Sequence, residues 1–263
     1  KTKIKNFICM GNIEGFVSFE DILQKGKQLI QNGNKNFIEN NVDSDKMSIL
    51  LFTSGTTSKS KAVMLNQRAI AANIADMLMV ESLYPTDTNI AFLPFHHIFG
   101  STGMLVMLAS GVRTVFPDGL RYIKQNLKEY EVSVFVGVPL LVNKMYENIE
   151  KEIEKQGKTK LINRATKISN LLLKLHIDIR RKLFKQVLDG LGGKMRLIIS
   201  GGAPLDKKVS IKFNELGVRL IQGYGLTETC PVIAAENDKY IRNGSVGFPM
   251  RHVTVEIVNK DKD

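Results

Sequence analysis

Four short stretches carry the residue types and spacings that do chemistry. In Thr53-Ser-Gly-Thr-Thr-Ser-Lys-Ser-Lys61, a run of hydroxyls, one glycine and two lysines follows an apolar segment directly. Such a loop suits a phosphate: glycine lets backbone N–H groups converge, hydroxyls donate and lysine neutralises charge. The plainer alternative is a polar loop without a ligand. Laid on the Walker A pattern from Gly55, the lysine falls at Lys61. Ser60 then stands at the second glycine and Ala62 at the Mg²⁺-binding hydroxyl, so a P-loop phosphotransferase is a secondary alternative. The second stretch is Leu93-Pro-Phe-His-His-Ile-Phe-Gly100, whose histidine pair, taken alone, reads as a packed core feature. The third and fourth are Ser200-Gly-Gly-Ala-Pro-Leu205 and Gln222-Gly-Tyr-Gly-Leu-Thr-Glu228. Out of context, Tyr224 reads as a core ring and Glu228 as a surface helix-cap acid.

In this order, the four stretches resemble the adenylate-forming enzymes: acyl-CoA synthetases, luciferases and peptide-synthetase adenylation domains. The first is similar to that family's T-S-G-T-T-G-x-P-K-G-V signature, with Ser58, Ser60 and Ala62 replacing glycine, proline and glycine. The second is similar to L-P-L-F-H-x-x-G. Aligned on Pro94 and Gly100, His97 takes the histidine position and His96 replaces an aromatic. The last two are similar to the adenine-side loop and the Y-G-L-T-E motif, and the resemblance runs from Ile49 to Val258.

The resemblance implies ATP, Mg²⁺ and CoA as cofactor and co-substrates. Thr53, Ser54, Gly55, Thr56, Thr57 and Lys61 would hold the β- and γ-phosphates. Thr227 would donate to the α-phosphate and Glu228 would hold Mg²⁺, a hard cation needing oxygen. Tyr224 would stack on adenine within a motif that includes Gln222, Gly223 and Gly225, with the Gly202 and Ala203 backbone along the purine edge. His97 would sit beside the substrate carboxylate. The implied reaction joins a carboxylate to AMP with loss of pyrophosphate, after which a thiol displaces AMP. Amino-acid activators place an acid in the pocket motif, and Pro94–Gly103 has none. Val138–Leu205 is similar to the long-chain fatty acyl-CoA synthetases, so a fatty acid is the implied substrate.

Downstream of Glu228 the only aspartates are Asp238, Asp261 and Asp263, and none lies in the family's T-G-D motif. The chain also opens at Lys1. The expectation is therefore a central piece of a larger enzyme, with residues 1–244 the α/β part of the AMP-binding domain. Residues 245–263 would start a β subdomain, and the C-terminal catalytic domain is expected to be absent. Such a piece should bind nucleotide weakly and turn over little; a non-catalytic acyl-sensing relative is the further alternative.

The elements that must position these loops follow from the apolar runs. Ser48–Thr53 reads as a buried strand, followed by the polar loop and a helix from about Asn66 to Leu83. Asn89–Leu93, Val112–Phe116, Val132–Val136, Met195–Ile199 and Val218–Gln222 repeat the strand signal between helical stretches. This predicts an α/β fold with a mainly parallel sheet covered by helices on both faces. Alternation in His252–Val258 predicts an antiparallel strand towards the C-terminus. Asn89–Val112 carries no formal charge over 24 residues. Its proline, histidines and glycines favour strand, loop and short buried helix over a membrane span.

The 263 residues suffice for a buried core, and 43% hydrophobic with 24% charged residues excludes disordered, collagenous and disulfide-scaffold classes. Cys9 and Cys230 fit no metal-ligand spacing and read as reduced thiols of a cytoplasmic protein. The net charge of +11 is concentrated: Lys144–Lys185 holds twelve basic and five acidic residues. Ile168, Leu171, Leu172, Leu175, Ile179, Leu183, Val187 and Leu191 recur there at helical spacing. The favoured reading is a surface helix packing its apolar face on the domain; the other is a helix lying at the inner membrane face. A nucleic-acid partner is disfavoured, because no recognition motif accompanies the charge.

Overall fold

The computed structural model describes residues 3–53, 60–237 and 239–258. The chain divides into two units, Lys1–Ser44 and Asp45–Asp263. In the first, β1 (Ile8–Cys9) pairs in parallel with β2 (Val17–Ser18), and α1 spans Phe19–Gln31. Ser18 caps α1 reciprocally: its hydroxyl accepts from Asp21 N–H at 3.1 Å, and the Asp21 carboxylate accepts from Ser18 N–H at 3.3 Å.

The second unit opens with a hairpin. β3 (Met47–Thr53) pairs antiparallel with β4 (Lys61–Asn66) as a separate two-stranded sheet, with Thr53 directly opposite Lys61. This corrects two expectations. β3 is not a buried strand, since Leu50 and Phe52 are exposed. The segment after the polar loop is a second strand, with Val63 and Leu65 inward and Met64 outward. The P-loop alternative needs a helix to start at the lysine, and here β4 starts instead. Asn66 then caps α2 (Gln67–Met77), its side chain accepting from Ala69 N–H at 2.9 Å.

The central sheet contains seven strands among the described residues. β5 (Thr88–Ile90), β6 (Arg113–Val115), β7 (Val134–Gly137), β8 (Leu197–Ser200) and β9 (Arg219–Gly225) are parallel. β10 (Val232–Ala235) and β11 (Phe248–Pro249) continue it antiparallel, giving the order β11-β10-β9-β8-β7-β5-β6. The predicted α/β class holds, and the antiparallel strands lie towards the C-terminus. The particular strand expected at His252–Val258 does not form; those residues are irregular. Alternation does not suffice there without a partner strand to pair with.

Strand parity assigns the two faces. Phe135, Ile198 and Leu220 point to one side, which is covered by α4 (Ile123–Glu129), α5 (Pro139–Lys155), α8 (Lys185–Asp189) and α9 (Lys207–Glu215). Val134, Val136, Leu197 and Ile221 point to the other, with α3 (Ile98–Ala109) supplying Met107. The uncharged stretch thus resolves into β5, a loop and α3. Among the described residues no helix is long and apolar enough to cross a membrane.

The basic segment departs from expectation. It breaks into α5, α6 (Thr159–Lys174), α7 (Arg180–Leu183) and α8. Ile168, Leu171 and Leu175 do not pack on the domain but are 57%, 63% and 64% exposed. The face of α6 that is buried presents Thr166 and Ser169, and Asn170 donates to Glu215 of α9 at 3.0 Å. Periodicity identified the helix but not the face that docks.

A polar cluster ties together the amino ends of the parallel strands. The Asp87 carboxylate accepts from the Ser133 hydroxyl at 2.7 Å, from Arg196 Nε at 2.8 Å and from Tyr84 N–H at 2.9 Å, and it pairs with Arg196 Nη2. The Ser133 hydroxyl accepts from Thr88 N–H at 3.0 Å, and Arg196 lies 5.0 Å from the centre of the Tyr84 ring. One strand along, Arg219 pairs with buried Glu81 at 2.6 Å. Burial pushes the Asp87 carboxyl up, but the bonds from Arg196, Ser133 and Tyr84 outweigh it and hold its pKa below the ordinary value. Stability from a carboxylate so lowered is present above the unfolded value, about 3.9, and is lost as pH falls through the folded one. Asp87→Ala should cost about 3 kcal/mol at pH 7, because it strands a partly buried guanidinium. Urea unfolding across pH should show the gap to the parent chain shrinking below about pH 4.

Candidate active site

Helices on opposite faces force the chain to wind outward in both directions from the middle of the sheet. From β5 it crosses through α3 to β6; from the neighbouring β7 it crosses through α5–α8 to β8. A crevice must therefore open at the carboxyl ends of β5 and β7, the usual ligand position in open α/β sheets. A cavity of about 470 Å³ lies there. It brings together His97, Gly202, Gln222, Gly223, Tyr224, Gly225 and Thr227 from the ends of three strands, β5, β8 and β9. Ala203 and Glu228 sit next in sequence to lining residues without lining it themselves; Thr53 and Lys61 end and begin the hairpin strands. Ser54, Gly55, Thr56 and Thr57 lie outside the described residues.

The hairpin is nonetheless anchored to the site. Val63, Leu65, Ile70, Ile98 and Cys230 form one buried cluster, and β4 runs beside the 3₁₀ turn Thr227–Thr229. Ile98 follows His97, and Cys230 lies two residues after Glu228. One apolar contact set therefore fixes the β3–β4 hairpin, the histidine loop and the Thr227–Glu228 turn against one another. Burial also pushes the Cys230 thiol pKa up, which keeps it an inert packing group.

Two motif glycines have steric reasons. A Cβ on Gly100 would lie 2.4 Å from the Pro94 carbonyl oxygen, so the first turn of α3 can fold back on the histidine loop only without a side chain. A Cβ on Gly225 would lie 1.7 Å from the Pro231 carbonyl oxygen, where β10 returns against β9. Tyr224, between Gly223 and Gly225, keeps its ring half exposed at the cavity. Glu228 is exposed, with no hydrogen bond or ion pair among the described residues, and so is available to a ligand.

Other residues hold this geometry without having stood out in the sequence. Asn73, buried in α2, donates to the Val232 carbonyl at 2.7 Å and accepts from Val232 N–H at 3.2 Å, pinning the strand that follows the turn. The Thr229 hydroxyl accepts from Leu226 N–H at 2.9 Å and reaches the Pro231 carbonyl at 2.6 Å. Fully buried Glu236 accepts from Gln222 N–H at 3.0 Å and Arg242 N–H at 2.8 Å; burial raises its pKa against those two bonds. The buried Ser200 hydroxyl lines the cavity and has no hydrogen-bond partner among the described residues. Asn73 and Val232 are 159 positions apart, and no local pattern marks such a pair.

The family model described as AMP-binding enzyme matches residues 11–263. The chain belongs to the AMP-binding enzyme family. It is 30% identical to human long-chain-fatty-acid–CoA ligase 1, over 83% of this chain and 33% of that protein. It is 26% identical to a chloroplastic long-chain-fatty-acid–[acyl-carrier-protein] ligase of Arabidopsis thaliana, over 93% of this chain and 40% of that one. It thus spans well under half the length of either relative. The fold is similar to that of VinN (TM-score 0.65, 18% identity, 94% of this chain and 53% of that one). It is also similar to that of an o-succinylbenzoate CoA synthetase from Bacillus subtilis in complex with its acyl-adenylate intermediate (TM-score 0.58, 20% identity, 80% and 36%).

For an AMP-binding enzyme the glycine geometry carries a test. Gly225→Ala should lower unfolding stability by about 2–3 kcal/mol, the cost of overpacking against backbone. At Gly223 an added Cβ meets nothing closer than 3.8 Å, so Gly223→Ala should change stability little. Denaturant unfolding of both variants checks this; equal losses would refute the close-approach argument.

Proposed function

We propose that this chain carries the adenylate-binding core of an acid–thiol ligase, which activates a long-chain fatty acid with ATP and transfers the acyl group to CoA. One observation carries the reading: a single cavity joins the motif residues, at the strand ends, to an aliphatic interior. Val80, Leu83, Leu93, Val106, Met107 and Val136 line that interior. Among the described residues the one carboxylate in the lining is Glu81, whose charge is paired with Arg219 through Oε1 while its Oε2 is buried without a hydrogen-bond partner. An alkyl chain gains about 0.8 kcal/mol per buried CH₂ in such a wall. The relatives named for long-chain fatty acids support the same substrate class.

The chemistry follows from what a carboxylate lacks. Its leaving group would be oxide, so direct attack by a thiol fails. In the proposed reaction a carboxylate oxygen attacks the α-phosphorus of ATP, the bond to the bridging oxygen breaks and pyrophosphate leaves. The thiolate of CoA then adds to the acyl carbon, and AMP leaves with the bonding pair. Catalysis in such a transfer is mainly positioning and charge neutralisation. In this reading Lys61 and the residues Thr53–Thr57 hold the outer phosphates, and Thr227 donates to the α-phosphate. Tyr224 offers its exposed ring to adenine, and the partnerless Ser200 hydroxyl offers a buried hydrogen bond. His97 orients the carboxylate at the mouth of the aliphatic interior.

The residues present fit a magnesium ion that comes with the nucleotide. Among the described residues there is no cluster of three or more His, Cys, Asp or Glu side chains, whereas Glu228 presents one unpaired carboxylate. One carboxylate, phosphate oxygens and water are the ordinary Mg²⁺ set. Bound there, the ion would neutralise charge developing on the phosphates. Because one relative is named for acyl-carrier-protein ligation, a carrier-borne thiol is the second reading for the acceptor.

Thermal unfolding with MgATP, MgGTP and a non-hydrolysable dodecanoyl-adenylate mimic tests the proposal. The mimic should stabilise the chain by about 2.7 kcal/mol at one hundred times its Kd. MgATP should give a smaller shift and MgGTP none. Glu228→Gln should abolish the MgATP shift and spare that of the mimic, which needs no metal. No shift with the mimic, or equal shifts with both nucleotides, would overturn the reading.

A further inference from the structure

A second cavity, of about 460 Å³, lies on the opposite face of the sheet. Its floor is Phe135 of β7, whose neighbour Val136 points into the nucleotide cavity, so the sheet itself separates the two. The walls come from helices: Leu127 of α4, Met145 and Ile149 of α5, Ala165 of α6, and Phe184 and Val187 beside and within α8. From α6, Leu161 and Ile162 join Ala165 in the wall, while Ile168 and Leu171, farther along the same helix, are exposed. Leu120, Leu161 and Leu183 remain exposed around the opening.

The charges bordering this cavity are mostly of one sign. Arg121, Lys124, Lys144 and Lys158 line it, against Glu152 alone. Glu152 already accepts from Gln156 at 2.7 Å, Lys158 donates to Gln186 at 2.8 Å, and Lys144 pairs with Glu147 at 3.3 Å. Arg121 and Lys124 make no ion pair or hydrogen bond among the described residues and are exposed. A deep aliphatic pocket with unpaired cations at its edge is complementary to a flexible alkyl chain that ends in a negative charge. Its volume lies within the roughly 300–1,000 Å³ of small-molecule sites.

We propose that this cavity binds a single-chain amphiphile with an anionic head, independently of the nucleotide cavity. The site goes beyond the ligase reading, because no residue of the reaction lies on this face. The alkyl chain carries most of the affinity, and the exposed cations select the sign of the head. A free long-chain carboxylate and its CoA thioester share this chemistry.

Equilibrium dialysis of the chain against radiolabelled dodecanoate tests it, with and without a saturating dodecanoyl-adenylate mimic in the nucleotide cavity. One equivalent of dodecanoate should remain bound when the mimic is present, and decanoate should bind about sixteenfold more weakly, about fourfold per methylene. Ala165→Trp, which fills the cavity, should remove that equivalent and leave the mimic's thermal shift unchanged. Arg121→Glu with Lys124→Glu, both on the surface, should weaken dodecanoate about fivefold and leave dodecanol unaffected. The chain has no tryptophan, so Leu161→Trp supplies an independent reporter at the opening whose emission should shift to the blue with dodecanoate. Both variants and the reporter are also measured without the mimic, so failure of the mimic to bind would sink the ligase reading alone. A dodecanoyl-CoA arm distinguishes the sources: whichever of the two is retained with the same charge dependence is the ligand, and either supports the site. No dodecanoate held alongside the mimic when the mimic binds, retention unchanged in a folded Ala165→Trp chain, no reporter shift, or indifference to charge reversal would each overturn the proposal.

Discussion

The bond set around Asp87 is the constraint on which the sheet depends. Between β5 and β7, where the winding changes direction, the ladder shrinks to one residue pair, Asn89 with Val134. Strands diverging from a single pair need another reason to stay adjacent. Asp87 supplies it by accepting from Ser133, just before β7, and Arg196, just before β8. Because the carboxylate is buried and fully used, displacing either partner would strand a charge or a polar group, which is costlier than a lost ladder bond. The amino ends are thus closed by ionic and hydrogen-bonded contacts, and the carboxyl ends are left free to part.

That asymmetry is what makes a cavity there stable. The loops at the carboxyl ends cannot be held by a continuous ladder, so they are held by side-chain and backbone contacts of other kinds. The cluster of Val63, Leu65, Ile70, Ile98 and Cys230 supplies apolar adhesion. Asn73, Thr229 and Glu236 satisfy backbone groups that the divergence leaves without strand partners. Gly100 and Gly225 allow backbone to approach backbone closely enough for those bonds to form. Tyr224 and Glu228 can stay exposed because their neighbours carry the structural role.

Much of this was legible in the sequence, and the unread parts share a cause. Runs such as Val132–Val136 and Met195–Ile199 fixed the strands of the parallel sheet because a strand buried on both faces needs apolar residues at every position. The motif spacing placed His97, Gln222–Gly225 and Thr227 at strand ends, and the structure gathers them around one cavity. What escaped depended on partners far away in the chain. Lys61–Asn66 is a strand only because β3 pairs with it; read alone, it passes as the end of the polar loop before the helix expected from about Asn66. Leu171 and Leu175 have helical spacing, yet the docking face of α6 was decided by Asn170 meeting Glu215, 45 positions on. His252–Val258 alternates correctly but has no strand to pair with among the described residues.

The basic excess bears on how the two faces divide their work. Lysines serving ATP would have to lie near the carboxyl ends of β5, β7, β8 and β9, where Lys61 is attached through the hairpin. Instead, the dense run between Lys144 and Lys185 belongs to α5–α8, and its members Lys144 and Lys158, with Arg121 and Lys124, border the cavity on the other face. Screening confines an exposed charge to roughly 8–10 Å at physiological salt, and a packed sheet with helices on both sides is thicker than that. The two groups of charges are therefore electrostatically independent, and on the proposed readings would serve different ligands. In the proposed reading, charge neutralisation at the nucleotide would rest on few residues, Lys61 among them, whereas the larger positive field borders the apolar cavity on the other face. A ligand suited to that second face is one that is apolar first and anionic second.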